Sequence, residues 1–236
     1  MKPAVEILSD PEALAHRAAE LVLHAAQSTI GRFAMALSGG STPRRLYELM
    51  ARAPYRSNFP WHRAHMFLGD ERFVPHMDER SNYRMAARAL FSQVPIAEAN
   101  VYPVPTSGVS PADAARAYER TLKSFYGAET LDPARPLFDV TLLGLGEDGH
   151  TASLFPGTDV LSERKRWVAA VTEVPEPRIT LTYPALEASR QVIFLVAGEE
   201  KRAIFARVLQ GEQDFPAARL RPTGGLLWLA DAAAAA

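Results

Sequence analysis

Between Phe138 and Pro156 the chain reads FDVTLLGLGEDGHTASLFP, where glycines, carboxylates and an imidazole crowd into one short stretch. Histidine is the side chain whose ordinary pKa lies nearest neutrality, so His150 is a candidate for taking a proton from water. Gly144, Gly146 and Gly149, interleaved with Glu147 and Asp148, free the backbone for tight turns and close approach to a ligand. The apolar run Val140-Thr141-Leu142-Leu143 just before them predicts a buried strand. His150 would then stand past the carboxyl end of a strand, where open α/β sheets hold their ligands.

The same letters match G-x-G-x-x-G, but that dinucleotide fingerprint needs a helix directly after its third glycine. Pro156-Gly157 follows Gly149 too closely for more than a turn or two, so no nicotinamide or flavin site is expected. Ser153 lies three residues beyond His150, yet no G-x-S-x-G elbow surrounds it and a Ser–His hydrolase is not expected. The histidines show no H-E-x-x-H or similar spacing, which leaves no metal site; His16, His24, His62, His65 and His76 read as surface or packing residues.

A second stretch, Ser38-Gly39-Gly40-Ser41-Thr42-Pro43, follows the strand-like RFAMAL of Arg32 to Leu37. Ser41 or Thr42 can cap a helix, Pro43 suits its first position, and the helix continues from Arg44 to Arg52. Such a turn offers backbone N–H groups and hydroxyls to an anion; equally, it is a well-capped turn with no ligand. Gly69-Asp70-Glu71-Arg72-Phe73-Val74-Pro75 puts carboxylates and an arginine after another strand, Ala64 to Leu68. Taken alone, a self-satisfied ion-pair turn is the simpler reading. Lys201 sits in a first helical turn, against the dipole preference for anions there. It either pairs with Glu199 or Glu200 or reaches for an anion.

The elements that must position these groups alternate almost throughout. Helices are predicted from the Asp10 cap to about Gln27, from Ser81 to about Phe91, from the Ser110 cap to about Tyr126, at Pro184 to Ala188 after a Thr182 cap, and to about Leu209. Further strands are predicted at Val101 to Val104, Trp167 to Thr172, Ile179 to Thr182, Gln191 to Val196 and Leu226 to Leu229, and the alanines after Asp231 are expected to fray. Strand–helix alternation implies an α/β fold with a largely parallel sheet and helices on both faces. Four loops, at Ser38–Thr42, Asp70–Arg72, Gly144–His150 and Glu199–Lys201, would converge at the strands' carboxyl ends. That convergence argues for a site better than any one motif.

At 236 residues the chain suits a single domain spanning 1–236 with a sizeable core. A formal net charge of −1 leaves no nucleic-acid or anionic-membrane footprint, so anion recognition must be local. Without cysteine there is no disulfide, thiolate metal site or cysteine nucleophile. MKPAVEILSDPE is too acidic and weakly apolar for a signal peptide, and no apolar run approaches the ~20 residues of a membrane span. A cytoplasmic protein is expected.

ALSGGSTP, FLGDERFVP followed by SNYRMA, LLGLGEDGHTASLFPG, PRITLTYPAL and FLVAGEEK, with Trp228-Leu229-Ala230-Asp231 at the tail, resemble in this order the motifs of the glucosamine-6-phosphate isomerase/6-phosphogluconolactonase family, on its lactonase side. The resemblance implies a modified Rossmann-like three-layer sandwich without bound nucleotide, of the kind shared with glucosamine-6-phosphate deaminase and ribose-5-phosphate isomerase. It implies hydrolysis of 6-phosphogluconolactone to 6-phosphogluconate in the pentose phosphate pathway, with no metal or organic cofactor, by a protein expected to be a monomer. Carried over, Ser38, Gly39, Gly40, Ser41, Thr42, Arg178 and Lys201 would hold the phosphate, and His150 would be the general base. Asp70 and Arg72 would line the site, Arg72 near the lactone or phosphate end, with Asp148 orienting His150 or facing the sugar hydroxyls. The deaminases resembled here place a glutamate five residues after this histidine, where this chain has Phe155. Deamination and a non-catalytic sugar-phosphate sensor are therefore the alternatives, and the intact His150 speaks against the sensor.

Overall fold

Apolar residues at two-residue spacing organise the centre of the molecule. In the computed structural model, which describes residues 4–236, the chain begins β1 (Ala4–Leu8), α1 (Pro11–Ser28), β2 (Phe33–Leu37), α2 (Ser41–Met50), α3 (Tyr55–Asn58), β3 (Ala64–Leu68) and β4 (Asp70–Arg72). It continues through α4 (Asn82–Ala89), β5 (Val101–Tyr102), α5 (Pro111–Tyr126), β6 (Phe138–Gly144), β7 (Val168–Val171), β8 (Arg178–Leu181) and α6 (Tyr183–Glu187). β9 (Ser189–Val196), α7 (Arg202–Leu209), α8 (Pro216–Arg219), β10 (Gly225–Asp231) and α9 (Ala232–Ala235) complete it. The first three residues of the N-terminal stretch read above lie outside the described residues.

Seven strands form one parallel sheet in the order β1-β10-β9-β6-β2-β3-β5. Phe33, Met35 and Leu37 of β2 join Ile193 and Leu195 of β9 in a core against α1, α2 and α4. Ala34 and Ala36, with Val192, Phe194 and Val196, face a second core against α5, α6 and α7. Strands buried on both faces read as continuous apolar runs, which is why QVIFLV is so legible. Each large side chain fully buried there contributes ~1.5–3 kcal/mol.

A second, antiparallel sheet in the order β4-β8-β7 packs on that second core. Sequence reading expected β7 and β8 within a largely parallel sheet, but period-two alternation carries no information about a strand's partner. The Asp70–Arg72 segment is likewise a strand of this sheet rather than an ion-pair turn, with Asp70 opposite Thr180 and Arg72 opposite Arg178.

Local details also differ from expectation. β1 was not foreseen; as an edge strand paired only with β10 it keeps Val5 and Ile7 exposed and gives no alternating signal. Neither Ser41 nor Thr42 caps α2: Gly40 takes that place without a side-chain bond. Thr182 precedes α6, but its hydroxyl donates to the Arg166 carbonyl instead of capping. The alanine tail is helical, not frayed, because the Asp231 carboxylate accepts from Ala234 N at 2.8 Å and Ala234 is buried. Among the described residues no helix is long and apolar enough to cross a membrane.

Candidate active site

β2 and β6 are adjacent in the central sheet, yet the chain leaves their carboxyl ends in different directions. β2 feeds α2 on one face, and β6 feeds the loop leading to β7 on the other. A divergence of this kind opens a crevice at the sheet's edge. Here a cleft of ≈ 300 Å³ is lined by Ser38, Gly39, Gly40, Asp70, Arg72, Gly146, His150, Arg178 and Lys201, among others. A roomier groove of ≈ 580 Å³ between α2 and α4 carries arginines and glutamates but none of the glycine loops and no histidine. The chemistry belongs to the smaller cleft.

The loop after β6 is folded to present an imidazole. Gly146 N donates to His150 O at 2.8 Å and Gly149 N to Gly146 O at 3.0 Å, closing a tight turn. A Cβ on Gly146 would stand 2.1 Å from His150 Nδ1, so only glycine admits the ring there. No helix follows Gly149; Thr151 and Leu154 form an isolated bridge, against the dinucleotide reading. His150 Nδ1 lies 2.5 Å from Asp148 Oδ1, and the same oxygen accepts from His150 N at 3.1 Å. Burial acts to raise the Asp148 carboxyl, but the bonds from the His150 backbone and ring outweigh it and hold the group below its usual range. With Nδ1 committed to Asp148, Nε2 is the ring nitrogen left for chemistry. Phe155 packs against the imidazole, ring centroids 4.4 Å apart.

Opposite, β4 and β8 supply the cations. Arg72 and Arg178 are register partners, so two guanidinium groups stand side by side. Burial, then the charge of Arg72, lowers the Arg178 pKa, as expected where positive charges meet without enough counter-charge. Lys201 follows β9 and, rather than pairing with Glu199 or Glu200, has Glu147 3.8 Å away. Such cations converging on one crevice suit a phosphate dianion.

Several residues that sequence reading did not assign hold this arrangement. Glu71 is fully buried and accepts from Arg72 N, Asn82 N, Ser81 Oγ and Tyr83 N at 2.7–3.0 Å. Burial pushes its carboxyl above the ordinary range, with those donors pulling it back. Glu71 thereby pins the start of α4 to β4. Asn82, placed by that anchor, donates to Asp70 O at 3.0 Å and accepts from Arg72 Nη1 at 3.1 Å. A Cβ on Gly39 would meet Asn82 Oδ1 at 2.1 Å, so the first glycine of the β2 loop exists to let Asn82 in. Ser153 Oγ donates to Asp70 Oδ2 at 2.6 Å, which makes it a partner of Asp70 and not a nucleophile beside His150. Tyr47 clamps the loop between β2 and α2, donating to Ser38 O at 2.8 Å and accepting from Ser38 N at 3.0 Å. The only sequence signal for these roles was the position of Ser81-Asn82 at a helix start.

Of the predicted site residues, Ser38, Gly39, Gly40, Asp70, Arg72, His150, Arg178 and Lys201 meet in the cleft. Asp148 reaches it only through His150. Ser41 and Thr42 open α2 but are not among its lining residues. Of the other histidines, His65 pairs with Tyr102 and His76 with the Val104 carbonyl, as packing residues do.

Residues 9–228 match the family model described as glucosamine-6-phosphate isomerases/6-phosphogluconolactonase. A 6-phosphogluconolactonase of Nostoc sp. is 43% identical over 243 residues, spanning 100% of this chain and 98% of its own length. That of Homo sapiens is 37% identical, over 98% of this chain and 92% of its own. The crystal structure of 6-phosphogluconolactonase from Thermotoga maritima superposes with a TM-score of 0.83 at 31% identity, covering 98% of this chain and 100% of that one. A monomeric glucosamine-6-phosphate deaminase shares the fold with a TM-score of 0.83 at 20% identity, over 98% of each chain.

Proposed function

The chain belongs to the glucosamine-6-phosphate isomerase/6-phosphogluconolactonase family, and on that premise we propose that it hydrolyses 6-phosphogluconolactone to 6-phosphogluconate, the lactone-opening step of the pentose phosphate pathway, with His150 as general base. The observation that carries the reading is the Asp148–His150 pair at 2.5 Å, set at a cleft that Arg72, Arg178 and Lys201 also line. His150 Nε2 takes a proton from water as its oxygen bonds to the lactone carbonyl carbon. The carbonyl oxygen becomes anionic, and Arg72 supplies positive charge to it. Collapse breaks the bond from the carbon to the ring oxygen, which leaves with the proton from the imidazolium. No covalent enzyme intermediate is needed. Asp148 holds the ring by Nδ1 and stabilises its charged form between the two proton transfers.

The phosphate is assigned to Arg178, Lys201 and the Ser38–Gly40 backbone, which line the same cleft as His150 and Phe155. All the residues assigned to the reaction come from one chain, which supports a monomer as the working form. Phe155, an apolar ring against His150, supports lactone hydrolysis over deamination, since moving protons between neighbouring carbons calls for a carboxylate beside the histidine. The test is a lactonase assay on purified protein in chelator, corrected for spontaneous hydrolysis, with His150→Ala alongside. Wild type should open the lactone well above background, and the variant should lose ~10²–10⁴-fold in kcat. Ammonia release from glucosamine 6-phosphate, with lactone opening no faster than background, would reverse the assignment.

A further inference from the structure

One carboxylate behind the cleft's arginines, not itself among the lining residues, has no part in that chemistry. Glu176 lies in Pro175-Glu176-Pro177, between β7 and β8, with its side chain 24% exposed. Its Oε2 stands 3.4 Å from Arg72 Nε and 3.5 Å from Arg178 Nη1. Its Oε1 stands 2.5 Å from Arg80 Nη1, and Arg80 is tied in turn to Asp78 at 2.8 Å. One carboxylate thus bridges both arginines of the cleft and is held from outside by a third. The flanking prolines restrict the backbone on either side of it.

Two features show that the bridge is a partial solution. Arg178 Nε is buried and has no hydrogen-bond partner among the described residues, so its guanidinium keeps a donor unused. The contacts from Glu176 to both cleft arginines exceed 3.3 Å, longer than a charge-assisted bond of ~2.7–2.9 Å. Like charges opposite one another across antiparallel strands repel, and one negative charge shared three ways relieves this only in part. A phosphate dianion carries more charge and more acceptor oxygens than a carboxylate, so it can satisfy the donors that Glu176 leaves.

We propose that Glu176 is a built-in counter-anion that competes with the substrate's phosphate for Arg178, with Arg72 as the second anchor of its hold, and so sets the affinity and the anion selectivity of the cleft. It keeps the arginines apart from weakly charged anions while the site is empty, and a phosphate dianion displaces its hold. Selectivity then comes from a built-in competitor as much as from attraction. The proposal rests on the assignment of this cleft to a sugar phosphate, made above, for its biological meaning. Its physical content, competition for anions, can be measured separately.

The experiment is calorimetric titration of inorganic phosphate into wild type, Glu176→Gln and Glu176→Asp, with lactone kinetics on the same preparations. Glu176→Gln should bind phosphate roughly three- to tenfold more tightly and lower KM by a similar factor, with kcat within about twofold, as for removal of a partly buried competing ion pair. Glu176→Asp keeps the charge and should stay closer to wild type than to Glu176→Gln. Unchanged or weaker phosphate binding by Glu176→Gln overturns the proposal, as does equal tightening in both variants, since charge would then not be the cause. If wild type fails to open the lactone but Glu176→Gln still binds phosphate more tightly, the assigned reaction falls and the counter-anion stands.

Discussion

Asp148→Asn isolates the charge behind the proposed base, His150. In wild type one oxygen, Asp148 Oδ1, serves both the ring Nδ1 and the backbone N–H of His150, at 2.5 and 3.1 Å. The backbone N–H can only donate, so an asparagine is drawn to keep its oxygen, not its NH2, at that spot. The tautomer that leaves Nε2 free should therefore survive, and the loss is confined to the charge on the acceptor. A hydrogen bond to an ionised group contributes ~1.5–3 kcal/mol and a neutral one ~0.5–1.5, a difference of about 1–1.5 kcal/mol. The Asp148 side chain is 51% exposed, so solvent screening takes the lower part of that span. At ~1.4 kcal/mol per factor of ten, kcat should fall about five- to tenfold, with KM within twofold. The assay is initial-rate lactone hydrolysis with the spontaneous rate subtracted at each pH. A variant with wild-type kcat, or one that loses only in KM, would show that Asp148 faces the substrate and not the imidazole.

Arg178→Ala and Lys201→Ala should each raise KM roughly ten- to a hundredfold, since on the proposed assignment each removes a charge-assisted bond of ~1.5–3 kcal/mol to the phosphate; wild-type KM in both would relocate the phosphate. Gly39→Ala drives a methyl to within 2.1 Å of a buried Asn82 oxygen, and should cost ~1–3 kcal/mol, read as a melting temperature lower by roughly 2–10 °C. Glu71→Gln turns one acceptor oxygen into a donor facing buried N–H or O–H groups, so unfolding should come roughly 5–15 °C earlier; an unshifted Tm would mean α4 is anchored elsewhere. The Asp148 carboxyl is held below the ordinary aspartate value of about 3.9, so its stabilising contribution is present above about pH 4 and is lost as pH falls through the lowered value. The stability gap between wild type and Asp148→Asn should accordingly persist from neutral pH to about pH 4 and close only in stronger acid; a gap that closes by pH 5 contradicts the shift.

The parts of this protein that announced themselves in the sequence were those where chemistry is local. The glycines before His150, the β2-to-α2 turn and the apolar β9 each state their conformation within a few residues. Arg178 and Lys201 were placed by motif and are indeed brought to the cleft. What stayed hidden depends on partners distant in the chain. Glu71 looks like a surface carboxylate until its donors, Ser81, Asn82 and Tyr83, are folded over it. Asn82 looks like an ordinary first residue of a helix, though its amide joins Asp70 and Arg72. Glu176 reads as part of a proline-stiffened connection, and only the antiparallel pairing of β4 with β8 brings Arg72 within its reach. Helix and strand periods report which face is buried, not which stranger will be opposite.

The place of β1 has a consequence for how the molecule is made. Among the described residues its only sheet neighbour is β10, with Ala4 opposite Leu227 and Leu8 opposite Asp231. A ribosome delivers β1 before every other element described here and β10 after nearly all of them. Throughout synthesis the nascent β1, with Val5 and Ile7 on it, has no strand to join. β10 must first add to β9, and only then does an edge exist for β1 to dock on. The last pairing to form is thus the longest loop closure in the chain, a slow and entropically costly step that local contacts cannot hasten. On a stalled ribosome that has not yet released β10, the first strand should be the segment proteases and chaperones find.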